Sequence, residues 1–194
     1  MFKELKNQID QANPEQLVDL LFGLYLDRGQ SKYDEAVTQI DHALQCAYLA
    51  REKNLDDCAV TAALLHDLGH LMLDEATATK RFLAEDLNHE EVGATLLKDR
   101  FPAAVIEPIR MHVGAKRYLC TTDDTYWNCL SDASKRSLVV QGGKLSDEEL
   151  AEFQKSEYLD TALEIRRFDD MAKEVGLDIP PIEDYRSTVM SAIQ

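Results

Sequence analysis

The sequence predicts an all-α protein with a metal site built among its helices. Apolar residues recur at intervals of three and four along most of the chain, with capping residues at the starts of those stretches. No segment shows the sustained apolar/polar alternation of a strand. Histidines and an acidic residue fall within the same apolar stretches, where an uncompensated charge is costly.

The helices follow in order. Asn13 before Pro14 is an N-cap followed by proline at the first helical position. Leu17, Leu20, Leu21 and Leu24 then form one apolar face, and Gly29 is a C-terminal stop. A second helix is predicted from Glu35 to Lys53, with Val37, Ile40, Leu44 and Ala47 facing inward. Asp56 or Asp57 caps a third, rich in Ala and Leu, that ends at Gly69. Further helices are predicted over His89 to Lys98 and Pro102 to Lys116, from the capping-box pattern Ser146-Asp147-Glu148-Glu149, and over 157–174 and 183–193. Asp123 to Ser146 is the least regular stretch.

A chain of 194 residues suits one domain, expected over residues 1–194. Lys+Arg is 21 and Asp+Glu is 36, a formal net charge of −15, which argues against nucleic acid or an anionic membrane as the main partner. It leaves room for an anionic small molecule, because a local pocket can be basic on an acidic body. The longest apolar stretch, Cys58 to Leu65, is far shorter than the roughly 20 residues of a spanning helix. The first residues carry no apolar signal segment, and Cys46, Cys58, Cys120 and Cys129 form no C-x-x-C pair. Reduced, buried thiols in a cytoplasmic protein are expected.

The five histidines are His42, His66, His70, His89 and His112. His66-Asp67-Leu68-Gly69-His70 places two of them a helical turn apart, as in the zinc-protease H-E-x-x-H pattern, but with Asp in place of Glu and a helix-weakening Gly69. A site assembled across several helices is the alternative. His42 lies on the inner side of its helix, and His66-Asp67 ends the most apolar one. A metal ion would compensate the buried carboxylate, and the two oxygens of Asp67 can bridge two ions.

His42, then His66-Asp67, then a distant Asp resembles the H…HD…D signature of the HD-domain metalloproteins, which are all-α. They are mostly phosphohydrolases, with a minority of dinuclear iron oxygenases. The resemblance extends over residues 30–190 through four strings: Gln39-Ile40-Asp41-His42-Ala43-Leu44-Gln45-Cys46-Ala47; Ala62-Ala63-Leu64-Leu65-His66-Asp67-Leu68-Gly69-His70; His112-Val113-Gly114-Ala115-Lys116-Arg117-Tyr118-Leu119; and Leu130-Ser131-Asp132-Ala133-Ser134 with Gln141-Gly142-Gly143. They look like the HD-domain oxygenases that cleave the carbon–phosphorus bond of 1-hydroxy-2-ammonioethylphosphonates.

The resemblance implies a helical bundle with a dinuclear metal site in its core. His42, His66, Asp67, His89, His112 and Asp169 would be the ligands of a mixed-valent Fe(II)/Fe(III) pair, with Asp170 the adjacent competitor to Asp169. Imidazole and carboxylate donors without thiolate suit iron, manganese or zinc. O2 would be the co-substrate, and the substrate itself supplies the electrons, so no reductase partner is needed in each turnover. His70, Lys116, Ser134, Ser137 and Arg166 fall at the positions that match the family's phosphonate contacts. Asp67, His70 and Lys116 are the expected catalytic groups.

In the family's primary-amine enzymes a tyrosine precedes a glutamate by three residues. Tyr33-Asp34-Glu35 closes that spacing to two, with Glu35 aligned relative to His42 and Tyr33 offset by one. A trimethylammonium group is recognised by aromatic faces and carboxylates, which these three residues offer. The expected substrate is therefore (1R)-1-hydroxy-2-(trimethylammonio)ethylphosphonate, giving glycine betaine and phosphate. The alternatives are the primary amine, giving glycine and phosphate, an HD-type phosphohydrolase, and a degenerate ligand-binding HD module.

Overall fold

The computed structural model of this chain describes residues 2–32, 36–72 and 88–194. Among them there is no strand, and the fold is all-α. The elements are α1 (Phe2–Gln11), α2 (Pro14–Arg28), α3 (Gln39–Glu52), α4 (Asp57–Leu65), a 3-10 turn (Leu68–Met72), α5 (His89–Leu97), α6 (Ala103–Thr122), α7 (Tyr126–Cys129), α8 (Asp132–Val140), α9 (Asp147–Phe153), α10 (Leu159–Met171), a second 3-10 turn (Ile182–Tyr185) and α11 (Arg186–Ser191).

Helix starts follow local capping chemistry. Asn13 Oδ1 accepts from the Gln16 N–H at 2.9 Å, and Gln16 Oε1 accepts in return from the Asn13 N–H at 3.0 Å. Ser146 and Glu149 make the same reciprocal pair at the start of α9. Asp56 rather than Asp57 caps α4, accepting from the Ala59 N–H at 2.8 Å. Helix α3 begins at Gln39, later than the expected Glu35, because Thr38 Oγ1 caps it by accepting from the Asp41 N–H at 3.2 Å. Val37, Ile40, Leu44 and Ala47 are buried, as the periodicity predicts. On α2, Leu17 and Leu21 are buried while Leu20 and Leu24 are only partly so, and Val18, Phe22 and Tyr25 complete the inner face.

Several boundaries differ from the sequence expectation. Helix α1 was not anticipated; it buries Leu5 and Ile9, one turn apart. Helix α6 runs to Thr122, well past Lys116, because Leu119 and Cys120 continue its buried stripe. The stretch from Asp123 to Ser146 contains α7 and α8, the latter capped by Ser131. Helix α4 stops at Leu65 instead of reaching Gly69, and the chain tightens into the 3-10 turn. Gly69 is required there by a close approach: a Cβ would lie 1.9 Å from the His89 carbonyl oxygen. Of the cysteines, Cys46 and Cys120 are buried, but Cys58 is half-buried and Cys129 is exposed.

Helices α3, α4 and α10 pack against one another, α6 packs against α4 and α10, and α5 lies across α6 and the first 3-10 turn. One apolar core runs from Leu5 to Ala192, so residues near both ends join the middle of the chain. Burying a leucine such as Leu64, Leu65 or Leu96 contributes about 1.5–3 kcal/mol. Tyr25 donates its hydroxyl to the Leu64 carbonyl at 2.7 Å, which satisfies a main-chain acceptor at the end of α4 just before His66.

Candidate dinuclear metal centre and substrate pocket

The four central helices bring polar groups to their common centre: buried His42 from α3, buried His66 and half-buried Asp67 after α4, and buried His112 from α6 and Asp169 from α10. His89, the first residue of α5, joins them. Asp67 divides them into two sets. Its Oδ2 lies 3.6 Å from His42 Nε2 and 3.5 Å from His66 Nε2. Its Oδ1 lies 3.4 Å from His89 Nε2 and 3.5 Å from His112 Nε2. Within the sets, His42 Nε2 and His66 Nε2 are 3.3 Å apart, and His89 Nε2 and His112 Nε2 are 3.0 Å apart. Asp169 Oδ1 joins the first set, 3.4 Å from His42 Nε2.

The imidazole orientations suit ligation. His42 Nδ1 donates to the Ala172 carbonyl at 2.8 Å, His66 Nδ1 to the Ala63 carbonyl at 2.9 Å, and His112 Nδ1 to the Ile109 carbonyl at 2.7 Å. A carbonyl only accepts, so a proton sits on Nδ1, and it is Nε2 that faces the centre and would ligate an ion. Neighbouring donors on an ion with bonds of about 2.1 Å lie about 3.0 Å apart, so both sets are near the spacing a first-row metal needs. The donor set fits such ions: His42, His66 and Asp169 would hold one, His89 and His112 another, and Asp67 offers an oxygen to each.

Beside this centre is a cavity of about 100 Å³. His70, Lys116, Ser134, Ser137 and Arg166 line it, so the structure brings together the five residues expected to contact a phosphonate. Lys116 Nζ donates to Ser137 Oγ at 2.8 Å. The His70 ring stacks on His89 with centroids 3.8 Å apart. Tyr33, Asp34 and Glu35 lie outside the described residues, although Val37, Thr38 and Gln39 just after them line the cavity.

Comparison with known proteins decides the family. The HD domain model matches residues 40–169. The chain is 49% identical to the hydroxymethylphosphonate dioxygenase of Gimesia maris, over 93% of this chain and 90% of the relative. It is 37% identical to the [1-hydroxy-2-(trimethylamino)ethyl]phosphonate dioxygenase (glycine-betaine-forming) of Leisingera caerulea, over 90% of this chain and 89% of the relative. An uncharacterized protein of Acanthamoeba polyphaga mimivirus is 33% identical over 92% of this chain and 84% of its own length. The chain belongs to the HD-domain oxygenase family.

It is thus an oxidoreductase rather than an HD phosphohydrolase or a non-catalytic HD module. The electrostatics mark a centre that favours positive charge: against burial, Cys46 and Asp169 hold His42 well above the usual imidazole range, and Asp67 raises His89. Burial opposes the ionised Asp67, but His66 and the other imidazoles outweigh it and hold its carboxyl well below the usual range. Burial likewise opposes an ionised Asp169, and the Arg166 charge holds it well below. Burial pushes His66 down to about 4, against the pull of Asp67. Burial, then the Arg166 charge, push Lys116 down to about 7.

Arg166 is more engaged than the sequence suggests. Its Nη1 donates to Asp169 Oδ2 and its Nη2 to Asp170 Oδ1. Its Nε faces both Asp170 Oδ2 and the Tyr126 hydroxyl at 3.2 Å. Asp170 therefore pairs with Arg166 and Tyr126, while Asp169 turns to His42. Three further features escaped the sequence reading. Lys173 lines the cavity, with Nζ 3.3 Å from Ser134 Oγ and 3.4 Å from Ser131 Oγ. Gln141 also lines it, with a buried Oε1 that has no hydrogen-bond partner among the described residues. Cys46 Sγ lies 3.8 Å from His42 Nε2. The i,i+4 spacing of His42 and Cys46 could have signalled the last, and Gln141 stands in one of the strings that carry the resemblance; no local pattern marks Lys173.

No helix among the described residues is long and apolar enough to cross a membrane.

Proposed function

We propose that this chain is an iron-dependent dioxygenase that cleaves the carbon–phosphorus bond of hydroxymethylphosphonate, giving formate and phosphate. The observation that carries the reading is the division of the Asp67 oxygens between two histidine pairs, next to a cavity lined by Lys116, Lys173 and Arg166. His42, His66, Asp67 and Asp169 would hold one ion, and Asp67, His89 and His112 the other. Bound there, the pair supplies Lewis acidity for the substrate hydroxyl and redox chemistry for O2.

The reaction balances without a reductant. HOCH2PO3H2 and O2 contain the same atoms as formic acid and phosphoric acid, and the carbon gives up all four electrons that O2 gains. The chain's own groups orient the substrate. Lys116, Lys173 and the remaining Arg166 N–H groups bind the phosphonate, aided by the Ser134 and Ser137 hydroxyls. His70, beside His89 and 3.9 Å from Asp67 Oδ1, closes the wall next to the ions. Phosphonate held at the cationic end turns C1 and its hydroxyl toward Asp67 and the ligand set.

Cavity chemistry supports the small substrate. The carboxylates among the described lining residues are Asp67 and Asp169, both expected ligands, and the lining rings are imidazoles. The described walls thus provide for an anion and contain no aromatic or spare acidic group for a trimethylammonium head. The greater identity to the hydroxymethylphosphonate enzyme agrees. The second reading is the N-trimethyl substrate, favoured by Tyr33-Asp34-Glu35 just ahead of the cavity-lining Val37 in the sequence; the primary amine would use the same groups.

The test is O2 uptake and phosphate release by iron-loaded enzyme with each of the three hydroxyphosphonates. Highest kcat/KM with hydroxymethylphosphonate is expected. Preference for the trimethylated compound would move the assignment to the second reading, and no O2 uptake with any of them would overturn both.

A further inference from the structure

One histidine of the centre is held differently from the rest. His66 and His112 each give their Nδ1 proton to the carbonyl three residues earlier, which a helix naturally presents. His42 gives its own to Ala172, just past α10. His89 has no such carbonyl partner among the described residues; it is the first residue of α5 and follows Asn88, whose φ is +45°. The acceptor facing its Nδ1 is instead the carboxylate of the next residue: Glu90 Oε2, at 3.5 Å. That oxygen is buried and has no hydrogen-bond partner among the described residues. A buried carboxylate oxygen without a donor is costly, and the one imidazole of the four without a carbonyl partner among the described residues stands beside it.

We propose that Glu90 is the positioning residue for the metal ion of the His89/His112 set. When the ion is bound, Glu90 accepts the Nδ1–H of His89, fixes the imidazole with Nε2 toward Asp67 Oδ1, and adds a negative charge behind that ligand. The two ions then stand in unequal surroundings. The first has Asp169 as a second carboxylate ligand, and the second has a carboxylate one imidazole away. A carboxylate behind a ligating histidine raises its basicity, and loss of such a partner weakens metal binding by about 10–100-fold.

This inference rests on the two-iron reading above, and its experiment separates the two. The full chain is loaded anaerobically with Fe(II), competed against a chelator, and assayed for iron per chain. Isotopically enriched iron gives a Mössbauer spectrum of each variant. Wild type is expected to hold two irons. Glu90→Ala should hold the first normally and the second about 10–100-fold more weakly. Glu90→Gln keeps an acceptor without the charge, so it should recover much of the affinity and shift the spectrum of one iron only. If Glu90→Ala does not fold, as read by circular dichroism, that spectral shift in Glu90→Gln decides. Two irons at wild-type affinity in a folded Glu90→Ala would overturn the proposal, as would fewer than two in the wild type or an unshifted Glu90→Gln spectrum. Failure of the oxygenase reading shows separately, as a wild type that binds iron but takes up no O2 with hydroxymethylphosphonate.

Discussion

Arg166 and Asp169, three residues apart on α10, form a buried ion pair that divides the aspartate between two tasks. Oδ2 is held by the guanidinium while Oδ1 stands 3.4 Å from His42 Nε2, in the first metal set. The same guanidinium lines the cavity beside Lys116. Arg166→Met should therefore do two things that a simple anion contact would not. It should raise KM for the hydroxyphosphonate and also lower iron occupancy, because Asp169 loses the group that orients it. Iron analysis of the purified variant checks this; a raised KM with full iron content would reduce Arg166 to a substrate contact.

Asp67 and Asp169 should fail differently. Asp67 offers one oxygen to each set, so Asp67→Ala is expected to hold neither ion. Of the two sets Asp169 meets the one containing His42, so Asp169→Ala should lose the ion of the His42/His66 set and keep the other. Iron per chain after anaerobic loading distinguishes the two variants.

Lys116 should impose a pH dependence on substrate affinity. Burial, reinforced by Arg166, places its pKa at about 7, so it is a cation below that pH and neutral above it. Its hold on a phosphonate weakens as pH rises through about 7. A charge-assisted hydrogen bond is worth about 1.5–3 kcal/mol, or roughly 10–150-fold in KM. Lys116→Met should show that loss at low pH with iron content unchanged, and the difference from wild type should shrink at high pH. The substrate's own titration is common to both enzymes and cancels in the comparison. A gap that stays constant from low to high pH would count against this role.

Gly69→Ala tests how the chain crossing shapes the centre. The added Cβ would meet the His89 carbonyl oxygen at 1.9 Å, so α5 must move, and His89 with it. Overpacking of this kind costs about 1–3 kcal/mol. Urea unfolding should show that loss, and iron analysis should show weakened binding at the His89/His112 set.

Much of this molecule is legible along the chain because helix physics is local. Asn13 with Gln16, Asp56 with Ala59 and Ser146 with Glu149 bond three residues apart, so their types and spacing suffice to place helix starts. The His66-Asp67 pair at the end of an apolar run announces a buried charge in need of a cation. Where a turn is imposed from outside, as at Gly69, sequence patterns fall short. The remaining features depend on residues that only packing brings together. Which Asp67 oxygen faces which histidine pair, the contact of Tyr126 with Arg166, and the arrival of Lys173 beside Ser134 join groups about 40 residues apart or set on different helices. Even Glu90, adjacent to His89, acquires meaning only from burial: in water its carboxylate would be solvated, and inside the fold its unpaired oxygen faces the one ligating imidazole without a carbonyl partner among the described residues. Local spacing decides hydrogen bonds within a helix, whereas the direction and desolvation of a side chain at a shared centre are set by every element packed around it.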